Sequence, residues 1–151
     1  MSLRKEIHDL ISARLTAQAV YEVVDMWKAQ ITPTKDNLVQ GYPAAFISIG
    51  AINWQDMTLG VKEGAVTIDV YLFFNKYGDT FDGATDREDS FAIIDTVEAS
   101  AEAIHWLTDN DIMEITQTGE TDLTERYGRP AFKLTFTTTA YKQINPKVHV
   151  N

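Results

Sequence analysis

Cysteine does not occur anywhere in the 151 residues. Disulfides, thiolate nucleophiles and cysteine-based zinc sites are excluded with it. Long apolar runs are also missing. Met1-Ser2-Leu3-Arg4-Lys5-Glu6 leads straight into an amphipathic pattern, and no stretch approaches the roughly 20 apolar residues that a membrane span requires. The expectation is a soluble protein made in the cytoplasm, with no membrane partner. Basic residues are scarce: 13 stand against 22 acidic ones, for a net charge of -9. Their tightest groupings are the pairs Arg4-Lys5 and Arg126 with Arg129. Neutralising phosphates needs clustered lysine and arginine, so this balance opposes a general affinity for nucleic acid.

Signatures of chemistry are equally thin. The three histidines, His8, His105 and His149, lie far apart, with no H-E-x-x-H and no pair at ligand spacing. His105, beside Trp106, reads as a packed residue or a partner of a helix C-terminus. Ser48 stands in Ile47-Ser48-Ile49-Gly50, which lacks the G-x-S-x-G elbow, and no glycine-rich loop matches a phosphate cradle. Asp79, Asp82, Asp86, Glu88 and Asp89 form an acidic stretch that could offer oxygen ligands to a hard cation. Its spacing is not that of an EF-hand, and such charge ordinarily stays solvated or caps a helix. Asp69, between Ile68 and Val70, would be a general acid or base if buried, but no partner residue is identifiable for it. The expectation is a protein that is not an enzyme and folds without metal or organic cofactor.

What the chain does have is a real core. Forty-four per cent of its residues are hydrophobic, and a single domain of this length buries roughly two-thirds of its unfolded surface. The reading is one domain over residues 1–151, with an extended tail over 143–151. Leu3, Ile7, Leu10, Ile11 and Leu15 recur at helical spacing. From Val20 to Ile31 apolar and polar residues alternate, which reads as a strand, although a continued helix fits the same pattern. Thr32 to Asn37 is a loop by composition. Pro43 to Gly50 and Ala65 to Asn75 are β-type segments on either side of a loop carrying Trp54, Met57, Gly60 and Gly64. In the second of them Val66, Ile68, Val70, Leu72 and Phe74 share the core face, which leaves Tyr71 and Phe73 on the other.

Lys76 to Ala84 reads as another loop. Thr85-Asp86-Arg87-Glu88 matches a capping box. It opens a helix whose stripe of Phe91, Ile94, Val97, Ala101, Ile104 and Leu107 should lie on a sheet. Ile112 to Gln117 reads as a strand, Thr118 to Pro130 as a loop or twisted hairpin, and Ala131 to Tyr141 as a closing strand with Phe132, Leu134 and Phe136 inward. The fold class is therefore α+β: a mainly antiparallel sheet with two principal helices on one face, in the order α-β-β-β-α-β-β.

Four segments, Pro43 to Phe46, Ile52-Asn53-Trp54-Gln55-Asp56, Gly64-Ala65-Val66-Thr67-Ile68 and Ala131 to Tyr141, together with this element order, resemble the tail terminator or tail completion proteins of tailed bacteriophages. The resemblance covers most of the chain and rests on apolar texture. It implies a phage or prophage virion structural protein, made in the bacterial host, that forms a homo-oligomeric ring, commonly a hexamer, at the head–tail junction. Its partners would be copies of itself and the tail-tube and neck proteins, and DNA would pass through the ring without specific binding. No catalytic residues come with it. The expected interface residues are Trp54, Met57, Tyr71, Phe73 and Tyr141, because exposed aromatics tend to carry binding energy. Two other classes remain open: a small-ligand binding module or enzyme with a pocket between the second helix and the sheet, and a cellular interaction protein sharing the architecture.

Overall fold

A computed structural model describes residues 2–31, 41–58, 60–75 and 83–144. The elements are α1 (Leu3–Ala17), β1 (Val23–Met26), β2 (Ala44–Thr58), β3 (Val61–Phe73), α2 (Gly83–Ile104), β4 (Thr116–Asp122), α3 (Thr124–Tyr127) and β5 (Ala131–Gln143). Five strands form one sheet in the order β1-β2-β3-β5-β4. The β2–β3, β3–β5 and β4–β5 pairs are antiparallel and β1 joins β2 in parallel, so the protein is α+β, as its sequence leads one to expect.

The main core lies between one sheet face and the two long helices. Leu3, Ile7, Ile11 and Leu15 of α1 are buried against Ile47, Val66, Ile68, Val70, Leu72, Leu134 and Phe136. Their spacing in the helix and alternation in the strands place these side chains in one layer. Near the end of α2, the Tyr21 hydroxyl donates to Ser100 Oγ at 2.5 Å, and the Ser100 hydroxyl donates in turn to Gln18 Oε1 at 3.1 Å. This chain satisfies polar groups that would otherwise be costly to bury between the helices.

Burial pushes the Tyr21 hydroxyl from 10.0 up to about 12, against a smaller lowering by Ser100. A phenol held protonated in the folded state contributes stability that is full below pH 10 and is lost as pH rises toward 12, because the unfolded chain releases the proton first. At about 1.4 kcal/mol per pKa unit, the loss across that window is about 2–3 kcal/mol. Urea unfolding at pH 9 to 12 should therefore fall more steeply for the wild-type chain than for Tyr21→Phe. Parallel curves for the two proteins would contradict the burial of this hydroxyl.

Several sequence expectations need correction. Between Val20 and Ile31 only Val23–Met26 is strand. The segment carrying Trp54 and Met57 is not a loop, since β2 runs to Thr58 and β3 starts at Val61; the turn is compact, with Gly60 at φ +84°, a conformation that glycine adopts without cost. Phe91 and Ile94 do not lie on the sheet and are 58% and 43% exposed, whereas Val97, Ala101 and Ile104 are buried. Spacing fixes the apolar side of a helix but not how far along its length the core reaches. The strand expected over Ile112 to Gln117 begins at Thr116, with Ile112 making an isolated bridge to Ala140. Part of the Thr118 to Pro130 segment is strand to Asp122, followed by α3. The loops expected over Thr32 to Asn37 and from Lys76 to Ala84 up to residue 82, the capping-box side chains of Thr85 and Glu88, and the tail beyond Ile144 lie outside the described residues.

Candidate functional site

The face of the sheet away from α1 and α2 divides into an aromatic half and a polar half. In the aromatic half, Ile31, Ala44, Phe46, Phe73 and Ala131 form a second buried cluster. Trp27 stacks on Tyr71 and Phe73 at 4.5 and 5.7 Å between ring centroids, and Tyr127 of α3 meets Phe73 edge-on at 5.1 Å. Phe73 is 0% exposed and so has no surface to offer a partner. The expectation that this face stays uncovered is corrected: the segment after β1 and the short α3 cover it from within the chain. Tyr71 keeps partial exposure, and its hydroxyl is raised by burial first and by the Asp69 charge second.

The polar half holds Thr67 and Asp69 of β3 opposite Thr137 and Thr135 of β5. Thr135 Oγ1 donates to Asp69 Oδ1 at 2.8 Å, so the carboxylate considered as a catalytic group has an ordinary cross-strand partner. Farther along, Tyr141 lies opposite Glu63; a hydrogen bond to that carboxylate, followed by burial, raises the Tyr141 hydroxyl. A cavity of about 530 Å³ opens here, lined in part by Asn53, Glu63, Thr67, Thr137 and Tyr141. It faces away from the helices, unlike a pocket between α2 and the sheet.

On the helix-side face the β2–β3 hairpin continues past the core. Trp54, 38% exposed, sits opposite Gly64, and Lys62 Nζ lies 4.1 Å from the indole centroid. A Cβ at position 64 would stand 2.9 Å from both Ile52 Cγ2 and Trp54 Cζ3, which explains a glycine inside a strand. Met57 is 53% exposed. Of the five expected interface residues, Trp54, Met57, Tyr71 and Tyr141 thus retain surface, but the structure spreads them over both faces of the sheet.

Sequence reasoning missed the edge of β2. The parallel β1 covers β2 only from Ala44 to Ile47. Beyond it, a register shift between Ile49 and Ile52 marks a bulge, and the Arg4 guanidinium donates to the carbonyls of Ile49 and, at 2.8 Å, Gly50. From Ile52 to Thr58 no strand of the described residues lies on the outer side of β2. Only the glycine hinted at the bulge in sequence.

The two described histidines are apart. His105 Nδ1 accepts the backbone N–H of Gln117 at 3.1 Å, a packing role at the end of α2, while His8 belongs to α1; His149 and the side chains of the acidic stretch from Asp79 to Asp89 lie outside the described residues. Among the described residues no three His, Asp or Glu side chains gather at metal-binding distance. No helix of the described residues is long and apolar enough to cross a membrane. Adding EDTA is expected to leave the melting temperature unchanged; a fall of several degrees reversed by calcium or magnesium would assign a metal to the acidic stretch. Compared with models of known protein families and with curated proteins, the chain matches none.

Proposed function

We propose that this chain is a virion structural protein of a tailed phage or prophage, a tail terminator or completion subunit that closes into a ring, most simply a hexamer, where the tail meets the head. The observation that supports the reading is that, among the described residues, no strand pairs with the outer side of β4 at one end of the sheet or of β2 beyond Ile47 at the other. Open edges are templates for pairing with another chain, and two unlike surfaces on opposite sides of one subunit make a head-to-tail contact that closes when the rotation permits. In this reading the protein is not an enzyme and acts through shape and subunit contacts. Its partners are its own copies and the tail-tube and neck proteins, and its place is the virion. The net charge of -9 suits a passage that repels the DNA duplex rather than holding it.

Electron microscopy of the purified protein mixed with cognate tail tubes tests the proposal. The expected result is a closed ring of six subunits capping one end of each tube. Because subunits of this kind can stay monomeric until they meet the tube, a monomer in solution alone decides nothing. Absence of any association with the tube would overturn the reading.

A further inference from the structure

The segment after β1 and the short α3 close over the aromatic half of the sheet from two sides, and a cleft of about 280 Å³ remains between them. Ile31 and the stacked pair Trp27 and Tyr71, 4.5 Å apart, give it apolar walls. Tyr127 stands on the α3 side, and Arg126 and Lys133 line it from α3 and β5. Arg126 is exposed, with its guanidinium 5.6 Å from the Tyr127 ring centroid, while Lys133 is half-buried and sits opposite Tyr71 in the β3–β5 register.

The donors around this cleft are left over from the fold. Among the described residues neither Arg126 nor Lys133 has a carboxylate within ion-pair distance, and the Tyr71 and Tyr127 hydroxyls make no hydrogen bond. The nearby carboxylates are engaged or lie outside: Asp69 accepts from Thr135 Oγ1, Asp122 accepts the Thr124 N–H at 2.8 Å, and Glu125 is exposed without lining the cleft. In a chain whose acidic residues outnumber its basic ones 22 to 13, a cleft lined by two cations and no carboxylate runs against the composition. Partial burial of Lys133 has a desolvation cost that an opposite charge would offset.

Each feature narrows what fits. Aromatic walls favour a flat apolar body, and a volume just below the usual range of drug-sized sites, about 300–1,000 Å³, makes that body small. A planar guanidinium holds a carboxylate through two parallel N–H bonds, and the ammonium and the phenols are further donors. Burial first and the Asp69 charge second raise the Tyr71 hydroxyl, which places Asp69 within electrostatic reach of the cleft. Asp69 thereby offsets one of the two cations, and the remaining charge suits a monoanion better than a phosphate dianion. We propose that this cleft binds a free, small aromatic carboxylate, its ring against Trp27, Tyr71 and Tyr127 and its carboxylate on Arg126 and Lys133. The site is complete within one copy and does not depend on the ring-forming reading.

Titration of the full-length protein with sodium benzoate at constant ionic strength, followed by two-dimensional NMR of the N–H groups, tests the site. The chain has three tryptophans; Trp54→Phe and Trp106→Phe assign two of the indole signals and leave that of Trp27 by elimination. The Trp27 signal should shift saturably while those of Trp54 and Trp106 stay in place. Acetate, which lacks the ring, benzyl alcohol, which lacks the charge, and inorganic phosphate should each bind more weakly than benzoate by about tenfold or more, the effect of one charge-assisted hydrogen bond. Arg126→Gln and Lys133→Gln should each weaken benzoate by about as much, with unchanged melting temperatures. If Lys133→Gln lowers the melting temperature, Arg126→Gln, at an exposed position, decides alone. A Trp27 signal that does not move, phosphate or benzyl alcohol binding as tightly as benzoate, or an affinity that survives Arg126→Gln would overturn the inference.

Discussion

Phe73→Ala is expected to lower the unfolding free energy by about 3–5 kcal/mol, the usual cost of removing a buried aromatic ring. Phe73 is fully buried among Phe46, Trp27 and Tyr127, and these come from β2, the segment after β1, and α3. Deleting the ring leaves a cavity that three separate pieces of chain would have to close, which small local shifts cannot do. Tyr71→Ser should cost less, because Tyr71 is only partly buried and its side chain already meets water. Urea unfolding followed by tryptophan fluorescence checks both, since Trp27 stacks directly on the two rings. A loss below about 1 kcal/mol for Phe73→Ala, with unchanged emission, would mean that this second cluster is not packed as described. The same experiment separates core from interface: a monomer that loses stability on substitution is using the ring for its own fold.

Gly64→Ala should also destabilise, through crowding rather than a void. The added Cβ would meet Ile52 and the Trp54 ring at 2.9 Å, closer than carbon atoms pack, and overpacking of this kind typically costs about 1–3 kcal/mol. Part of that is offset by the smaller backbone entropy of alanine in the unfolded chain, about 0.4–1 kcal/mol. Trp54 is the element able to yield, because it lies at the exposed end of the hairpin, but moving it gives up the Lys62 contact at 4.1 Å. The decisive measurement is a double-mutant cycle. In a Trp54→Ala background the cost of Gly64→Ala should shrink but not vanish, because Ile52 Cγ2 still stands 2.9 Å from the added Cβ, and equal costs in both backgrounds would show that the indole is not what keeps position 64 a glycine.

The elements built on strong periodicity were legible before any coordinates. Leu3, Ile7, Ile11 and Leu15 in α1, Val66 to Leu72 in β3, and Leu134 and Phe136 in β5 all face the main core, because a helix or strand repeats its buried side at a fixed interval whatever it packs against. The class followed from the order of those elements. Of the candidate site, the exposed Trp54 and Met57 and the partly exposed Tyr71 and Tyr141 could be named, although alternation did not reveal that the first two belong to a long strand.

Other features needed the tertiary structure, since they depend on residues distant in sequence. The side of β3 bearing Phe73 reads as mixed in the sequence, and only the return of Trp27 and Tyr127 over it decides that Phe73 is core. The stripe on α2 was read correctly as a stripe, yet where the core ends along it, leaving Phe91 and Ile94 in water, is set by the packing of α1 and not by α2 itself. Among the described residues β2 lacks an outer neighbour beyond Ile47 because β1 contributes only four residues to the parallel pair, and the Arg4 contact to Ile49 and Gly50 spans 45 and 46 positions of sequence. Composition, charge and local period are properties of neighbours along the chain. Coverage and edge exposure are properties of neighbours in space, and folding alone brings those together.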